Sequence, residues 1–320
     1  MTRAGAKFWV GAAAVMLLAL AATAILKNEY WFYAGFVVLQ FVVLATAWNI
    51  LGGYAGYVNF GTSAFVGAGT YAAIVAIKAL AAPLGVQILL AAGIAGLLGF
   101  ATGLLTLRLR GIFFSIATVA VAIVLETFIV NWRFVGGSTG IQILRPVDTG
   151  LFGSYTKMLF LVMVGLSVAA AAIARTLEIS WIGRGLRAVR DNEEAAESCG
   201  VPTLRLKLIA CTISGALMGA AGAPMAVYQS YIEPASAFSL NYSILALAMP
   251  IVGGTAHWSG PVLGALLFGT LQQVVSATIS SELNRLVIGV MLIVFVVGAP
   301  AGIVGLWRKW AAKRAGAGSP

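Results

Sequence analysis

The chain has 320 residues, 61% of them hydrophobic and only 9% charged, with a mean hydropathy of +0.98. A soluble domain of this length would be roughly 25% charged. A globular enzyme or free-standing binding domain is therefore excluded, and recurring apolar stretches of spanning length point to an all-α polytopic membrane protein. The formal net charge of +10 sits mostly in loops that can be placed on one side of a bilayer, so it reads as an orientation signal and not as a nucleic-acid footprint.

Residues 8–26 follow Arg3 and Lys7 and are apolar throughout, about 28 Å of helix at 1.5 Å per residue. Ala22-Thr23-Ala24 imitates a signal-peptidase site, but the run exceeds the roughly 7–15 residues of a signal h-region, so it is expected to remain as the first span. Residues 32–50 make the second. The stretch GGYAGYVNFGTSAFVGAGTY at 52–71 then enters a third span ending near Leu80, carrying Gly52, Gly53, Gly56, Gly61, Gly67 and Gly69. Two readings stand open for these glycines: close helix packing through small residues, or an irregular segment lining a path. A phosphate loop is excluded, since no G-x-x-x-x-G-K-[ST] occurs in the sequence.

Spans four and five, 86–107 and 112–130, are joined by Arg108-Leu109-Arg110-Gly111. Glu126, near the far end of span five, is the one charged residue expected within a span. A carboxylate there is a functional candidate because desolvating it is costly; an interfacial acid reaching water or Arg133 is the plainer alternative. A polar loop at 131–157 leads to a sixth span, 158–174. The charged stretch 175–207 and a seventh span, 208–228, come next. The eighth, 241–256, is short and holds Pro250, Gly253 and Gly254, so it is expected to be broken or partly inserted. Spans 260–279 and 283–306 precede a basic tail at 307–320.

Ten crossings with the N-terminus inside put Arg3, Lys7, Arg108, Arg110, the six Lys/Arg of 175–207, and Arg308, Lys309, Lys313 and Arg314 in the cytoplasm. Lys27, Lys78, Arg133, Arg145, Lys157 and Arg285 fall outside. Removing the eighth crossing would send the basic tail outward, so the positive-inside bias favours ten. The chain then reads as one transmembrane domain, 1–320, with 175–207 cytoplasmic and 131–157 periplasmic.

The charged stretch is too polar for the bilayer and has helical spacing over 183–198. Leu186, Val189, Glu193 and Ala196 share one stripe, and Arg187/Asp191 and Arg190/Glu194 are opposite charges at i,i+4. Gly200 and Pro202 give a stop signal. A short charged helix between two spans suits contact with a soluble partner, to which the apolar stripe would be offered.

No catalytic set or metal-binding spacing is present; His257 is the single histidine, and it is expected in a turn near the inner surface. Cys199 and Cys211 lie in or beside the charged loop, which argues against a structural disulfide. Asn59, Ser63, Glu126 and Gln272 are the candidates for lining a transport path, although for Gln40, Asn49, Asn59, Gln272 and Gln273 an interhelical hydrogen bond is the commoner use of a polar group at such depth. An ion-coupled secondary transporter or a channel is the competing class, but ion coupling usually needs several buried ionisable groups, which the spans lack.

Glu194-Ala195-Ala196 followed by Gly200 resembles the EAA signature in the cytoplasmic loop of ABC importer permeases. The wider run GRGLRAVRDNEEAAESCGV, with LRLKLIA after it, is similar to LivM-type permeases of branched-chain amino acid importers. So are the early glycine motif, LRLRGIFFSIATVA, GGSTGI and GGTAHWSGPVLGA, all in family order. The resemblance implies a permease subunit in the bacterial inner membrane that forms half of a path for branched-chain or other hydrophobic amino acids. It implies a LivH-type second permease, two cytoplasmic ABC ATPase subunits and a periplasmic substrate-binding protein as partners, lipid around the helices, no cofactor, and no hydrolysis by this chain. It also implies a cytoplasmic coupling helix meeting the ATPase through Leu186, Arg187, Val189, Arg190, Glu193, Glu194, Ala195, Ala196 and Gly200.

Overall fold

The computed structural model describes residues 3–109, 111–143 and 154–278, together with 289–290, 293 and 302–305. The helices are α1 (Arg3–Ile25), α2 (Glu29–Ala55), α3 (Thr62–Leu80), α4 (Leu84–Thr106), α5 (Ile112–Val130), α6 (Tyr155–Ile179), α7 (Trp181–Asp191), α8 (Glu193–Ser198), α9 (Thr203–Gly222), α10 (Met225–Gln229), α11 (Pro234–Ala237), α12 (Leu240–Gly253) and α13 (Ser259–Thr278). Among the described residues, nine helical segments are long and apolar enough to cross a membrane, with α9 running on through α10 and α11 through α12. The protein is an all-α polytopic membrane protein. The expected tenth span, 283–306, and the tail, 307–320, lie outside the described residues apart from the few positions just given.

The core is built on α2, α3, α4 and α9. Helices in lipid gain little from apolar burial against one another, so they associate through close backbone approach, and this sequence supplies small residues on both sides of each contact. A Cβ added at Gly99 of α4 would meet Cys211 O at 2.7 Å, and one at Gly96 would meet Ala216 Cβ at 3.2 Å. From the other side, additions at Gly215 and Gly219 of α9 would run into the carbonyls of Ala95 and Ala91. Gly69 of α3 faces the backbone of Gly219 in the same way, and Gly67 faces the ring of Phe238. For Gly69 the close-packing reading holds; Gly67 instead makes room for an aromatic ring in the turn between α11 and α12.

Two ends can be told apart. At one, β1 (Ile141–Gln142) pairs antiparallel with β2 (Tyr231–Ile232), near Lys78, whose Nζ donates to Phe134 O at 2.6 Å. At the other lie α7, α8, the 56–61 turn, residues 107–109 and 254–258. Of the described basic residues, Lys7, Arg108, Arg175, Arg184, Arg187, Arg190, Arg205 and Lys207 gather at this second, charged end, and Lys27, Lys78, Arg133 and Lys157 at the strand end.

The break expected at Pro250, Gly253 and Gly254 in the eighth crossing does not occur within it. Instead α12 runs as one helix through Pro250 to Gly253, and the interruption lies before it, at Phe238–Ser239 after α11. α12 has 14 residues, about 21 Å of helix, against roughly 30 Å of hydrocarbon. The chain reaches its start through β2, α11 and Phe238, which is buried in the core and stacks on Tyr71 with ring centroids 6.0 Å apart. Ser243 then accepts from Ser63 N at 3.1 Å. Irregular backbone at this depth is tolerated because protein surrounds it.

Candidate functional site

The α7–α8 segment extends from the end of α6, which continues as helix five residues past the expected limit, to Ile179. Ser180 caps α7 by accepting from Gly183 N at 3.3 Å. The single helix expected over 183–198 is in fact two. At Asn192 the backbone turns extended (φ −162, ψ 108), and its Oδ1 accepts from Ala195 N at 3.0 Å, so the residue caps α8 instead of continuing α7. Asparagine does this because its short amide competes with the helical backbone for nearby donors. Gly200 (φ +80) ends α8, with Val201 N bonded to Ala196 O at 3.0 Å, the left-handed glycine closure the sequence signalled.

The apolar stripe faces inward. Leu186, Val189 and Ala196 are buried, the first two within the main core that also holds Tyr54, Leu206 and Ala210. The chain's own helices cover the face that was expected to meet a partner, because α7 lies back against α2, α6 and α9. What α7 and α8 leave outside is mostly charged: Arg184, Arg190, Asp191, Glu194 and Glu197 are exposed, with Ala195, Gly200 and the large apolar Trp181 at the start of α7, and Arg187 is half-buried. The expected pairing of Arg187 with Asp191 is replaced. Arg187 Nη2 donates to Glu178 O at 3.2 Å, Asp191 lies 3.6 Å from Arg190, and Arg190 Nη1 donates to Gly53 O at 3.0 Å. Gly56 (φ +78) leaves room for this contact; a Cβ there would meet Arg190 Cγ at 2.8 Å.

Glu193 also turns inward. Its carboxylate receives Lys207 Nζ on one oxygen and Tyr57 OH, at 2.6 Å, on the other. Lys207 is only 3% exposed and donates further to Tyr57 OH at 3.0 Å and to Leu107 O at 3.2 Å. This knot joins α8, the start of α9, the turn after α2 and the end of α4. Sequence reading did not single out Lys207 or Tyr57, although a lysine inside the apolar run LRLKLIA was a usable signal. A second knot was missed as well. Glu178 at the end of α6 accepts from Trp258 N at 2.8 Å and lies 3.9 Å from His257 Nε2, fixing the late glycine-rich turn to the same end of the bundle.

The four path candidates do not converge. Asn59 is buried, its Oδ1 accepting from Gly61 N at 2.7 Å while its carbonyl takes Trp48 Nε1 at 2.7 Å. Ser63 is engaged with Ser243. Glu126 lies half-buried towards the strand end of α5, on the face that buries Thr118, Ala122 and Ile129, and has no hydrogen bond or ion pair to a described residue. Gln272 is half-buried on α13. Gln40 donates to Ala221 O on α9, the interhelical use anticipated for it, whereas Asn49 donates to Thr255 O in the turn after α12, both at 3.2 Å. The 56–61 turn is irregular as the second glycine reading had it, but it packs against α7–α8. Among the described residues, no group of three or more His, Cys, Asp or Glu is placed to hold a metal.

A family described as branched-chain amino acid transport system / permease component matches residues 30–296. The chain belongs to this family. It is a membrane permease component, and the family is one of transport proteins, not enzymes. Among similar proteins is the high-affinity branched-chain amino acid transport system permease protein LivM of Escherichia coli K12, 28% identical over 84% of this chain and 68% of that protein. LivM of Salmonella typhimurium LT2 is 27% identical over the same shares. The probable LivH of Methanocaldococcus jannaschii is 28% identical over 61% of this chain and 64% of its own length. No solved structure matches.

Proposed function

We propose that the chain is the LivM-type subunit of an ATP-driven importer in the bacterial inner membrane, carrying branched-chain or other hydrophobic amino acids. It forms half of the path beside a LivH-type permease, receives ligand from a periplasmic binding protein, and meets two cytoplasmic ATPases through α7 and α8. The family match supports the class. The observation that carries the coupling role is the build of α7–α8: two short capped helices, outwardly charged apart from Trp181, and inwardly tied by Lys207–Glu193 and Arg190–Gly53 to α9 and α2. Isolated helices below about 12–15 residues are marginal, so this segment is held in shape by the bundle and presents a preset charged surface.

The outward set is Arg187, Arg190, Glu194, Ala195 and Gly200; Leu186, Val189, Glu193 and Ala196 hold that set in position. Reconstitution of Glu194→Lys with the partner subunits is expected to leave insertion intact and to lower ligand-stimulated ATP hydrolysis several-fold, and unchanged stimulation would overturn the assignment. Glu126 is assigned to the path or its outer gate. Glu126→Gln is expected to reduce uptake without altering complex assembly, and wild-type uptake would make it an interfacial acid.

A further inference from the structure

Between α1, α2, α6 and α13 lies a cavity of about 680 Å³. Its walls are apolar, including Val15, Leu39, Val42, Val164, Val262 and Leu266, and the polar wall atom of Ser167 is already bonded to Leu39 O at 3.2 Å. Its mouth, at the charged end, carries Lys7, Arg175 and His257. The depth is that of one leaflet. Lys7 to Val15 along α1 is about 12 Å and Arg175 to Val164 along α6 about 16 Å at 1.5 Å per residue, while half of a hydrocarbon core is about 15 Å.

We propose that this cavity is a binding site for an anionic phospholipid, one acyl chain lying in the slot and the phosphate at Lys7 and Arg175. Charge complementarity favours this occupant, since cations beside a leaflet surface draw anionic headgroups. Glu178, one turn after Arg175 on α6, accepts from Trp258 N at 2.8 Å and lies 3.9 Å from His257 Nε2. A protein helix, 10–12 Å across, does not fit without displacing α1, which is held at both ends. Lys157 Nζ donates to Thr23 O at 2.8 Å at one end; at the other, Arg175 lies 4.7 Å over the Phe8 ring, which meets Trp258 edge-on.

The test uses the full chain in its native complex, placed in nanodiscs of phosphatidylcholine with a minority of phosphatidylglycerol, with the retained lipid counted by native mass spectrometry. Phosphatidylglycerol is expected to be enriched, and Lys7→Gln with Arg175→Gln to lower that enrichment about fivefold per cation removed, while Arg175→Lys preserves it. A Cβ at Gly11 meets nothing within 4 Å although the residue lines the slot, so Gly11→Trp should fill the slot and reduce retention of both lipids at an unchanged melting midpoint. Equal retention of the two lipids by the wild type would overturn the proposal. So would full retention in Gly11→Trp, or a photoreactive side chain at Ala12 crosslinking to a polypeptide in place of lipid. None of these readouts depends on transport, so the site stands or falls apart from the importer reading.

Discussion

α1 and α9 are similar in length and both apolar, yet they are held in opposite ways. α9 sits between α2, α3 and α4 with glycines and alanines at each contact, so that backbone rests on backbone. α1 exposes Val10, Leu17 and Leu18 along its length and is attached chiefly at its ends. Hydropathy does not separate them, because a lipid-facing helix and a buried one are equally apolar. Nor does the content of small residues, since α1 is rich in alanine. The spacing of glycines does, with Gly215 and Gly219 one turn apart on α9 and both against backbone, whereas Gly11 of α1 meets nothing.

The contrast can be attacked from its strongest point downward. Lys207→Met removes the cation from the buried knot at the root of α9 and strands the Glu193 carboxylate, which should cost about 3–5 kcal/mol and lower the unfolding midpoint in detergent clearly. Adding Glu193→Leu to that variant should recover most of the loss, because an apolar pair of similar volume replaces a buried ion pair at little cost. If the double variant is no better than the single one, the knot is not a pair. Gly99→Val comes next. Its side chain must push against Cys211 O, and overpacking of this kind costs about 1–3 kcal/mol, so a wild-type midpoint would contradict the α4–α9 contact. The smallest effect is expected on α1, where Gly11→Ala enters open space. Replacing a glycine in a helix interior should add about 0.5–1 kcal/mol, and any destabilisation there would show α1 to be packed more tightly than described.

Much of this was legible beforehand. Nine of the ten expected spans correspond to described helices, but the interruption in the eighth lies before Leu240 and not at Pro250, which α12 runs through. The Gly200 stop was read correctly because it depends on one residue's backbone preference. The sequence reading erred where a local signal competed with a periodic one. The stripe of Leu186, Val189 and Ala196 has the spacing of one continuous helix, and only the capping habit of Asn192 argued otherwise. The direction of that stripe was not legible either, since periodicity defines a face without saying what covers it. The Lys207–Glu193–Tyr57 knot joins positions up to 150 residues apart, a proximity that no spacing rule contains. Asn59 and Ser63, chosen for polarity at depth, turned out to satisfy backbone and side-chain groups at the start of α3.

The break at Asn192 gives the charged segment two separate handles. α7 is fastened through Arg190 and Arg187 to α2 and α6, whereas α8 is fastened through Glu193, and through Glu197 by way of Thr203 Oγ1 at 2.6 Å, to α9. The two sets meet at α2, since Tyr57 in the turn after it also donates to Glu193. The extended residue between them divides the charged surface into two helical pieces, each with its own set of bonds to the bundle.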